Sequence, residues 1–449
     1  MTGKEFLNSI DSSGWNEIFT KLYGEENICS QKRRYALLVS DMLKNEQGSF
    51  PVSEFPEVQQ QLRFFSSPGR TELGGNHTDH NHGKVLAASI QLDSVAVAAP
   101  RNDYKVFFRS TGYPDVIINL ENLNPDKDET GSTGALVRGI AAEFTARGTP
   151  VKGLTANADS TVLPGSGLSS SAAVEVLFCK IFDSLYADGR RSALELAQIG
   201  QKAENIYFGK PCGLMDQTAC ASGGVAAIDF NNLLNPKVSS VNFALKNYTL
   251  CVVNTKGSHA NLTPDYAAIP AEMKSVASFF GKSVLREVDE KELIKNISVI
   301  RKSAGDRALT RAFHFFNENR RVDMMLTALE QLEKTSDEQA EAAVFKTFLN
   351  LVNESGNSSW ELLQNIYSTQ NPHEQGVALA LAITKDFFEK NCNGYGACRV
   401  HGGGFAGTIQ VYIPTEVLEQ YRRLMEDVFG EGTLTVLHIR PVGAVELVY

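Results

Sequence analysis

The chain lacks any run of about 18 apolar residues, the length a helix needs to cross a bilayer. Met1 to Ile10 also lacks the basic start and apolar core of a secretory leader. Neither secretion nor membrane insertion is expected. Cysteine is sparse and unpatterned: seven in 449 residues (Cys29, Cys179, Cys212, Cys220, Cys251, Cys392 and Cys398), an odd number with no Cys-x-x-Cys pair. That excludes a disulfide framework and a zinc spacing, and predicts free thiols in a reducing cytoplasm. Positive charge is in deficit, 43 Lys and Arg against 52 Asp and Glu, for a net charge of −9. With no local basic patch to offset it, this argues against nucleic acid and anionic membrane as partners. No protein partner is indicated, and repeats and low-complexity segments are absent. No Gly-Lys-Ser/Thr follows the glycines at Gly165 and Gly167, so the P-loop signature is absent. A Gly-x-Gly-x-x-Gly match at Gly402 to Gly407 runs into Thr408 to Ile413, which reads as a strand where a dinucleotide fold needs a helix.

What is present begins with an ordinary globular composition, 43% hydrophobic and 21% charged, in a chain long enough for two or three domains. Its organising stretch is Leu163 to Ala173, a Gly/Ser-rich turn that leads from a strand ending at Thr161 to Leu163 into a helix striped by Val174, Leu177, Phe178, Ile181 and Leu185. Gly165 and Gly167 admit close backbone approach. Ser169, Ser170 and Ser171 fall where the first helical amides lack partners, so they serve as caps in the plain reading. In the functional reading, free amides, hydroxyls and the positive end of the helix dipole converge on a phosphate.

Upstream, Gln61 to Phe65 reads as a strand, and Ser67 to Gly83 is dense in polar side chains yet flanked by apolar runs. Polar groups held against a core need partners, so such a segment lines a pocket. His77, Asp79, His80 and His82 resemble a metal cluster, but no second cluster supplies further ligands, and hydroxyl recognition of a polyol or sugar fits better. Residues 1–60 read as polar helices anchored by Phe6, Ile10, Trp15 and Ile18, with a loop over Gly48 to Pro56 and a solvated Arg33-Arg34 pair. Strands are expected at Leu92 to Pro100, Lys105 to Arg109 and Gly153 to Leu163, and a helix at Ala135 to Thr145. Ser192 to Tyr207 reads as a helix bordered by Glu204, which is either a partly solvated carboxylate or a site residue. Cys212 to Gln217 follows. Asp216, an acid among apolar neighbours, is either an N-cap or a functional group. A composition shift at Asn231 to Lys237 divides the chain into 1–232 and 233–449. Helices are expected in the second half near 267–280, 294–317, 322–333, 340–352 and 373–390, with strands at 408–413 and 433–440. His401 to Gly407 is either a tight connection or a second backbone surface against the phosphate turn.

Taken together, Pro68 to Gly83, Leu163 to Ala173 and His401 to Gly407 resemble, in order and spacing, the three motifs of the GHMP kinase superfamily. The first is similar to the galactokinase signature, and Cys212 to Gln217 resembles that family's motif with the catalytic aspartate. The resemblance spans about Gln61 to Tyr412. It implies a two-domain α+β kinase: an N-terminal domain with a left-handed β-α-β unit, a C-terminal ferredoxin-like domain, and the active site in the cleft between them. It further implies ATP-dependent phosphorylation of the anomeric hydroxyl of galactose, with Gly165, Ser166, Gly167, Leu168, Ser169, Ser170, Ser171 and Ala172 around the ATP phosphates and Mg²⁺ on Ser171 and Glu204. Asp216 would be the base and Arg70 the adjacent cation, and His77, Asp79, Gly213 and Tyr266 would line the sugar pocket. Asn76 stands where the family has a Glu directed at the C6 hydroxyl, Glu72 where it has an Asn, and His80 where it has an aromatic. The paired arginines expected after Tyr266 give way to other residues around Ile269 and Pro270. These departures leave open a galacturonate or relaxed hexose 1-kinase, and a non-catalytic galactose/ATP sensor.

Overall fold

The computed structural model describes residues 1–44, 61–162, 165–258 and 262–449. The expected loop at Gly48 to Pro56 and the strand end at Leu163 lie outside them. Two long strands, β1 (Arg63–Gly74) and β2 (Lys84–Pro100), set the architecture. They pair antiparallel from Arg63 opposite Ala98 to Gly74 opposite Leu86, with register shifts at Pro68/Arg70 and Glu72/Gly74. Pro68 has no N–H for the ladder, and an irregularity of this kind re-aims the side chains that follow it. The strand expected to stop at Phe65 therefore continues through the polar stretch. Arg70, Thr71 and Glu72 can stay in the sheet because each finds a partner on a neighbouring element.

Strand alternation in β2 separates two helical layers. Val95, Val97 and Ala99 pack with α1 (Gly3–Ser9), α2 (Ser13–Tyr23) and α3 (Ile28–Lys44), where Phe6 and Trp15 are buried as expected. Ala96 and Ala98 face α4 (Thr133–Ala146), α5 (Ser170–Tyr186) and α6 (Ala193–Ala203). The sheet is completed by β3 (Lys105–Ser110), β4 (Val116–Asn119), β5 (Leu154–Ser160), β6 (Val225–Asp229) and β7 (Lys237–Val241), with β3 and β5 its parallel pair across α4. A short helix, α7 (Met215–Ser222), packs against β1 and β2. Arg34, expected to be solvated, instead binds Asp93 at 2.6 Å and contacts Asp159. Asp93 is completely buried and also takes Arg440 at 3.1 Å. This ion network fastens the N-terminal helices and the C-terminal segment to β2.

The second sheet contains β8 (Tyr248–Asn254), β9 (Ala397–His401), β10 (Thr408–Pro414) and β11 (Leu434–Leu437), in the order β11-β8-β10-β9 and antiparallel throughout. With α14 (Leu418–Phe429) between β10 and β11 and helices between β8 and β9, this is the ferredoxin-like strand order. The intervening helices are α8 (Thr263–Phe279), α9 (Glu290–Lys295), α10 (Ile297–Ala304), α11 (Asp306–Lys334), α12 (Glu338–Ser358) and α13 (Gly376–Asn391). The helix expected over 294–317 breaks at Asn296 and at Gly305, whose φ of 87° ends α10. The expected gap before Val322 stays helical, because Glu318 and Arg321 pair in the interior. A division at 232/233 cuts between β6 and β7, which are hydrogen-bonded in one sheet from Val225–Val241 to Asp229–Lys237. The changeover between sheets instead follows Val241, and β12 (Val445–Leu447) returns to the first sheet beside β1.

Candidate active site

The register shift in β1 delivers Arg70 to the N-terminus of α7. Its guanidinium grips Asp216 with both arms, Nε to Oδ1 at 2.8 Å and Nη2 to Oδ2 at 3.0 Å. The third arm, Nη1, donates to the carbonyl of Gly167 in the Gly/Ser-rich turn, and the Arg70 amide donates to the Leu168 carbonyl at 3.1 Å. One buried arginine thus ties acid and turn together. Asp216 is the second residue of α7 and not its N-cap, a position held by Leu214. Its side chain is one-third exposed, so it faces open space while anchored from behind.

The turn itself departs from a plain capping arrangement. Gly165 and Gly167 have φ of 73° and 72°, and Ser169 follows at 59°. Only glycine takes these values at little cost, so a serine held there marks a constrained loop. The expectation that Ser169 caps α5 is not met: its hydroxyl donates to the Asp216 carboxylate, and no side-chain cap bond forms. A Cβ on Gly167 would lie 2.6 Å from Thr408 Oγ1 and 3.0 Å from His401 Nδ1. His401 to Gly407 is therefore packed on the turn, which is the second of its two sequence readings. Ser171 lies in the first turn of α5, and its hydroxyl makes no hydrogen bond among the described residues. Glu204 opens a single π-helical turn (Glu204–Phe208) after α6, only 2% exposed and paired with Lys210 Nζ at 3.1 Å.

The segment 75–83 forms a compact turn. His77 adopts φ of 56°, and its Nε2 donates to the Gly403 carbonyl at 3.0 Å. Asp79 begins a 3₁₀ turn, and its Oδ2 lies 1.7 Å from where a Cβ on Gly213 would be. Glycine at 213 is what lets the acid lie against the backbone that leads into α7. Tyr266 donates from its hydroxyl to the Gly404 carbonyl at 3.0 Å. Among the described residues, no three His, Cys, Asp or Glu side chains converge as a metal cage. Asn76, expected in the sugar pocket, is 1% exposed and committed inward: Nδ2 donates to Glu72 and to the Gly402 carbonyl, and Oδ1 accepts from Asn365. The helical turn after α12 and the buried face of α11 enclose it, the latter through His314, which donates to the Asn76 carbonyl at 2.9 Å.

Known proteins can now be set beside this geometry. A family model described as GHMP kinases N terminal domain matches residues 135–224, and one described as Galactokinase galactose-binding signature matches residues 53–100. A galactokinase of Clostridium tetani is 32% identical over 268 residues, covering 58% of this chain and 67% of that protein.

The chain belongs to the galactokinase family.

A galactokinase of Streptomyces coelicolor is 29% identical over 375 residues, 82% of this chain and 89% of that one. The crystal structure of Lactococcus lactis galactokinase complexed with galactose matches with a TM-score of 0.72 at 25% identity, over 86% of this chain and 95% of that one. The α+β architecture is thus the two-domain GHMP kinase fold, and ATP is the phosphoryl donor that a kinase of this family uses.

Electrostatics sort the galactokinase-type residues by task. Burial alone would raise the Asp216 pKa, but the charge and hydrogen bonds of Arg70, with the Ser169 hydroxyl, outweigh it and hold the carboxyl below its ordinary value. Asp216 is therefore an anion at neutral pH. Burial takes His77 down to about 4, so it is a neutral hydrogen-bonding group and not a cation. Burial and the nearby Glu204 push the Glu175 carboxyl well above the usual range. A cavity of about 900 Å³ between Phe243, Tyr248, Leu332, Phe345 and Tyr395 contains none of these residues, and size alone does not mark the site. Sequence reasoning missed Glu175, Lys210, Gln217 and Arg399. For Glu175, Gln217 and Arg399 the available signal was a charged or amide side chain inside an apolar helical or strand pattern; Lys210, in an irregular segment, carried none.

Proposed function

We propose that the chain transfers the γ-phosphoryl group of ATP to the anomeric hydroxyl of galactose, giving galactose 1-phosphate and ADP, in the cleft between the two sheets' domains. The carrying observation is the single guanidinium of Arg70, bonded at once to Asp216 and to the Gly167 carbonyl of the Gly/Ser-rich turn. Nucleophile activation and phosphate binding are thereby held one residue apart in space. Galactose lies against Asp79, His77, the Gly213 backbone and Tyr266, with Asp79 accepting from ring hydroxyls. The Asp216 carboxylate takes the proton of the anomeric O–H as that oxygen forms its bond to the γ-phosphorus and the bond from the γ-phosphorus to the ADP oxygen breaks. Arg70 favours the charged carboxylate and the developing alkoxide. The turn from Gly165 to Ala172, including Ser166, Leu168 and Ser170, offers backbone amides and the N-terminus of α5 to the triphosphate.

Ser171 and Glu204 fit a hard cation: one hydroxyl without a partner and one buried carboxylate are oxygen donors of the kind Mg²⁺ takes alongside nucleotide phosphates. When bound there, Mg²⁺ supplies charge neutralisation on the phosphates. Galactose is favoured over galacturonate by the surroundings of Asn76. The guanidinium joined to it through Glu72, Arg399, is already paired with that carboxylate and has no charge to offer a uronate. The retained base separates an enzyme from a sensor, which needs no base.

Asp216→Asn tests the reading. ADP release with galactose should fall on the order of 10²–10⁴-fold, while galactose affinity by calorimetry stays within about threefold, since Asp79 and His77 are untouched. Turnover at the wild-type rate would overturn the assignment of Asp216. Wild-type protein that binds galactose and ATP without releasing ADP would overturn the kinase reading itself.

A further inference from the structure

Two carboxyl groups, Glu175 and Glu204, lie in the interior between α5, α6 and α7, where the reaction accounts for only one. Glu204 receives Lys210 on Oε1, and on Oε2 it accepts from Gln217 Nε2 at 3.0 Å. The same amide nitrogen donates to Glu175 Oε2 at 2.8 Å. A side-chain amide has two hydrogens, and the two carboxyl groups take them at shorter range than Cys212 Sγ, which lies 3.6 Å from the same nitrogen. Gln217 and Glu175 are both completely buried, and Oε1 of Glu175 has no partner. A half-satisfied buried acid costs stability, and an apolar side chain of the same size would serve the core better. Fold stability therefore does not explain Glu175.

Its position does. Ser171 is four residues earlier on α5 and so lies one turn away on the same face. Gln217 directly follows Asp216 in α7, and the roughly 100° between consecutive helical residues turns the acid toward Arg70 and the amide toward the carboxylates. Gly200 on α6 lies beside the pair: a Cβ there would sit in ordinary van der Waals contact, 3.4 Å from Glu175 Cβ and 3.5 Å from Gln217 Cγ. Of the other partners of Glu204, Lys210 has a side chain 61% exposed and so orients the carboxylate weakly, and the Cys212 thiol is a weak donor.

We propose that Glu175 and Gln217 are positioning residues for the metal site: Glu175 locks the Gln217 amide, and the amide holds the Glu204 carboxylate in the orientation that takes Mg²⁺ beside Ser171. This rests on the reading of Glu204 as a metal ligand. It also makes α7 a rigid bracket that fixes the base on one side and the metal ligand on the other.

The test measures Mn²⁺ binding to the protein saturated with a non-hydrolysable ATP analogue, by the EPR signal of free Mn²⁺, together with melting temperature. Glu204→Gln is the reference. Glu175→Met and Gln217→Met keep side-chain volume and remove the lock, and should weaken Mn²⁺ binding about tenfold or more, the usual effect of losing a group behind a metal ligand. Glu175→Gln, which keeps an acceptor for the amide, should stay within about threefold of wild type. The Glu175→Met/Gln217→Met double variant, which leaves neither the acid nor the amide unpaired, should melt near the wild-type temperature while binding metal less well, a combination that a purely structural role does not produce. Weakened binding in Glu204→Gln with wild-type binding in both Met variants overturns this inference alone. Wild-type binding in Glu204→Gln overturns the reading beneath it. If Gln217→Met does not fold, the Met and Gln variants at 175 decide.

Discussion

Replacing Arg70 by lysine keeps the charge and removes the fork, and so asks whether geometry or charge does the work. In the native site three donors leave one guanidinium: two reach the Asp216 carboxylate at 2.8 and 3.0 Å and one reaches the Gly167 carbonyl. An ammonium on a flexible stem can replace one carboxylate contact at a time and cannot span to the carbonyl. One charge-assisted bond to the carboxylate is worth roughly 1.5–3 kcal/mol, and a bond to the carbonyl about 1 kcal/mol. If only part of this is expressed at the transition state, about 2–3 kcal/mol is lost, or roughly 30- to 150-fold in kcat. A coupled ADP-release assay with galactose, run across pH and ATP concentration, measures it. Because a positive charge still adjoins Asp216, the acid limb of the pH profile should stay in place, whereas in Arg70→Met it should move to higher pH as the carboxyl loses the partner that holds its pKa down. A fall of less than about threefold in Arg70→Lys would refute the bracket argument. A rise in the KM for ATP with kcat unchanged would do the same.

Gly213→Ala should leave the melting temperature nearly unchanged but abolish measurable galactose binding by calorimetry, because the added Cβ would fall 1.7 Å from Asp79 Oδ2 and displace the flexible carboxylate, not the backbone; retained affinity would remove Asp79 from the sugar pocket. Glu318, completely buried against Arg321, has its pKa brought down to about 2 from 4.5, since the charges of Arg321, His314 and Arg399 overcome the opposing effect of burial. A lowered folded pKa gives stability that is complete above the unfolded value and lost as pH falls through the folded one, here on the order of 3 kcal/mol between about pH 4.5 and 2. Urea unfolding of Glu318→Gln should therefore depend on pH less steeply than wild type over that window, and equal slopes would contradict the assignment.

The fold and the site were legible to different depths because they are written in different signals. Strand alternation and helical stripes are local, so the second half of β2, from Leu92 to Pro100, α4 and the buried anchors of the N-terminal helices followed from periodicity. The strand nature of Arg70 to Gly74 did not, because its polar side chains are satisfied by residues hundreds of positions away, such as His401 for Thr71 and Arg399 for Glu72. The same holds for Arg34, whose partners Asp93 and Asp159 lie on other elements. The juxtaposition of Asp216 and Arg70 came from motif resemblance, and no spacing rule would have joined positions 146 residues apart. The Ser169 hydroxyl was assigned to the helix end on general preference, and the positive φ that turns it to Asp216 left no trace in the sequence.

The exchange of Asn and Glu within the sugar signature keeps one carboxylate in the pair. The family places its carboxylate at the position of Asn76, and here it stands at Glu72. The two side chains are in contact, Asn76 Nδ2 lying 3.1 and 3.3 Å from the Glu72 oxygens, and Arg399 neutralises the pair from a fully buried position. Asn76→Glu alone puts a second carboxylate against the first with one guanidinium to serve both. Glu72→Asn alone leaves Arg399 buried and unpaired, a defect that costs about 3–5 kcal/mol. Made together, the two changes restore one carboxylate per guanidinium. Unfolding free energies of the four proteins should therefore show a coupling of at least about 2 kcal/mol, with the double variant more stable than either single one, whereas independent effects would add. Additivity would mean that Glu72 and Asn76 act separately and would refute the shared charge balance.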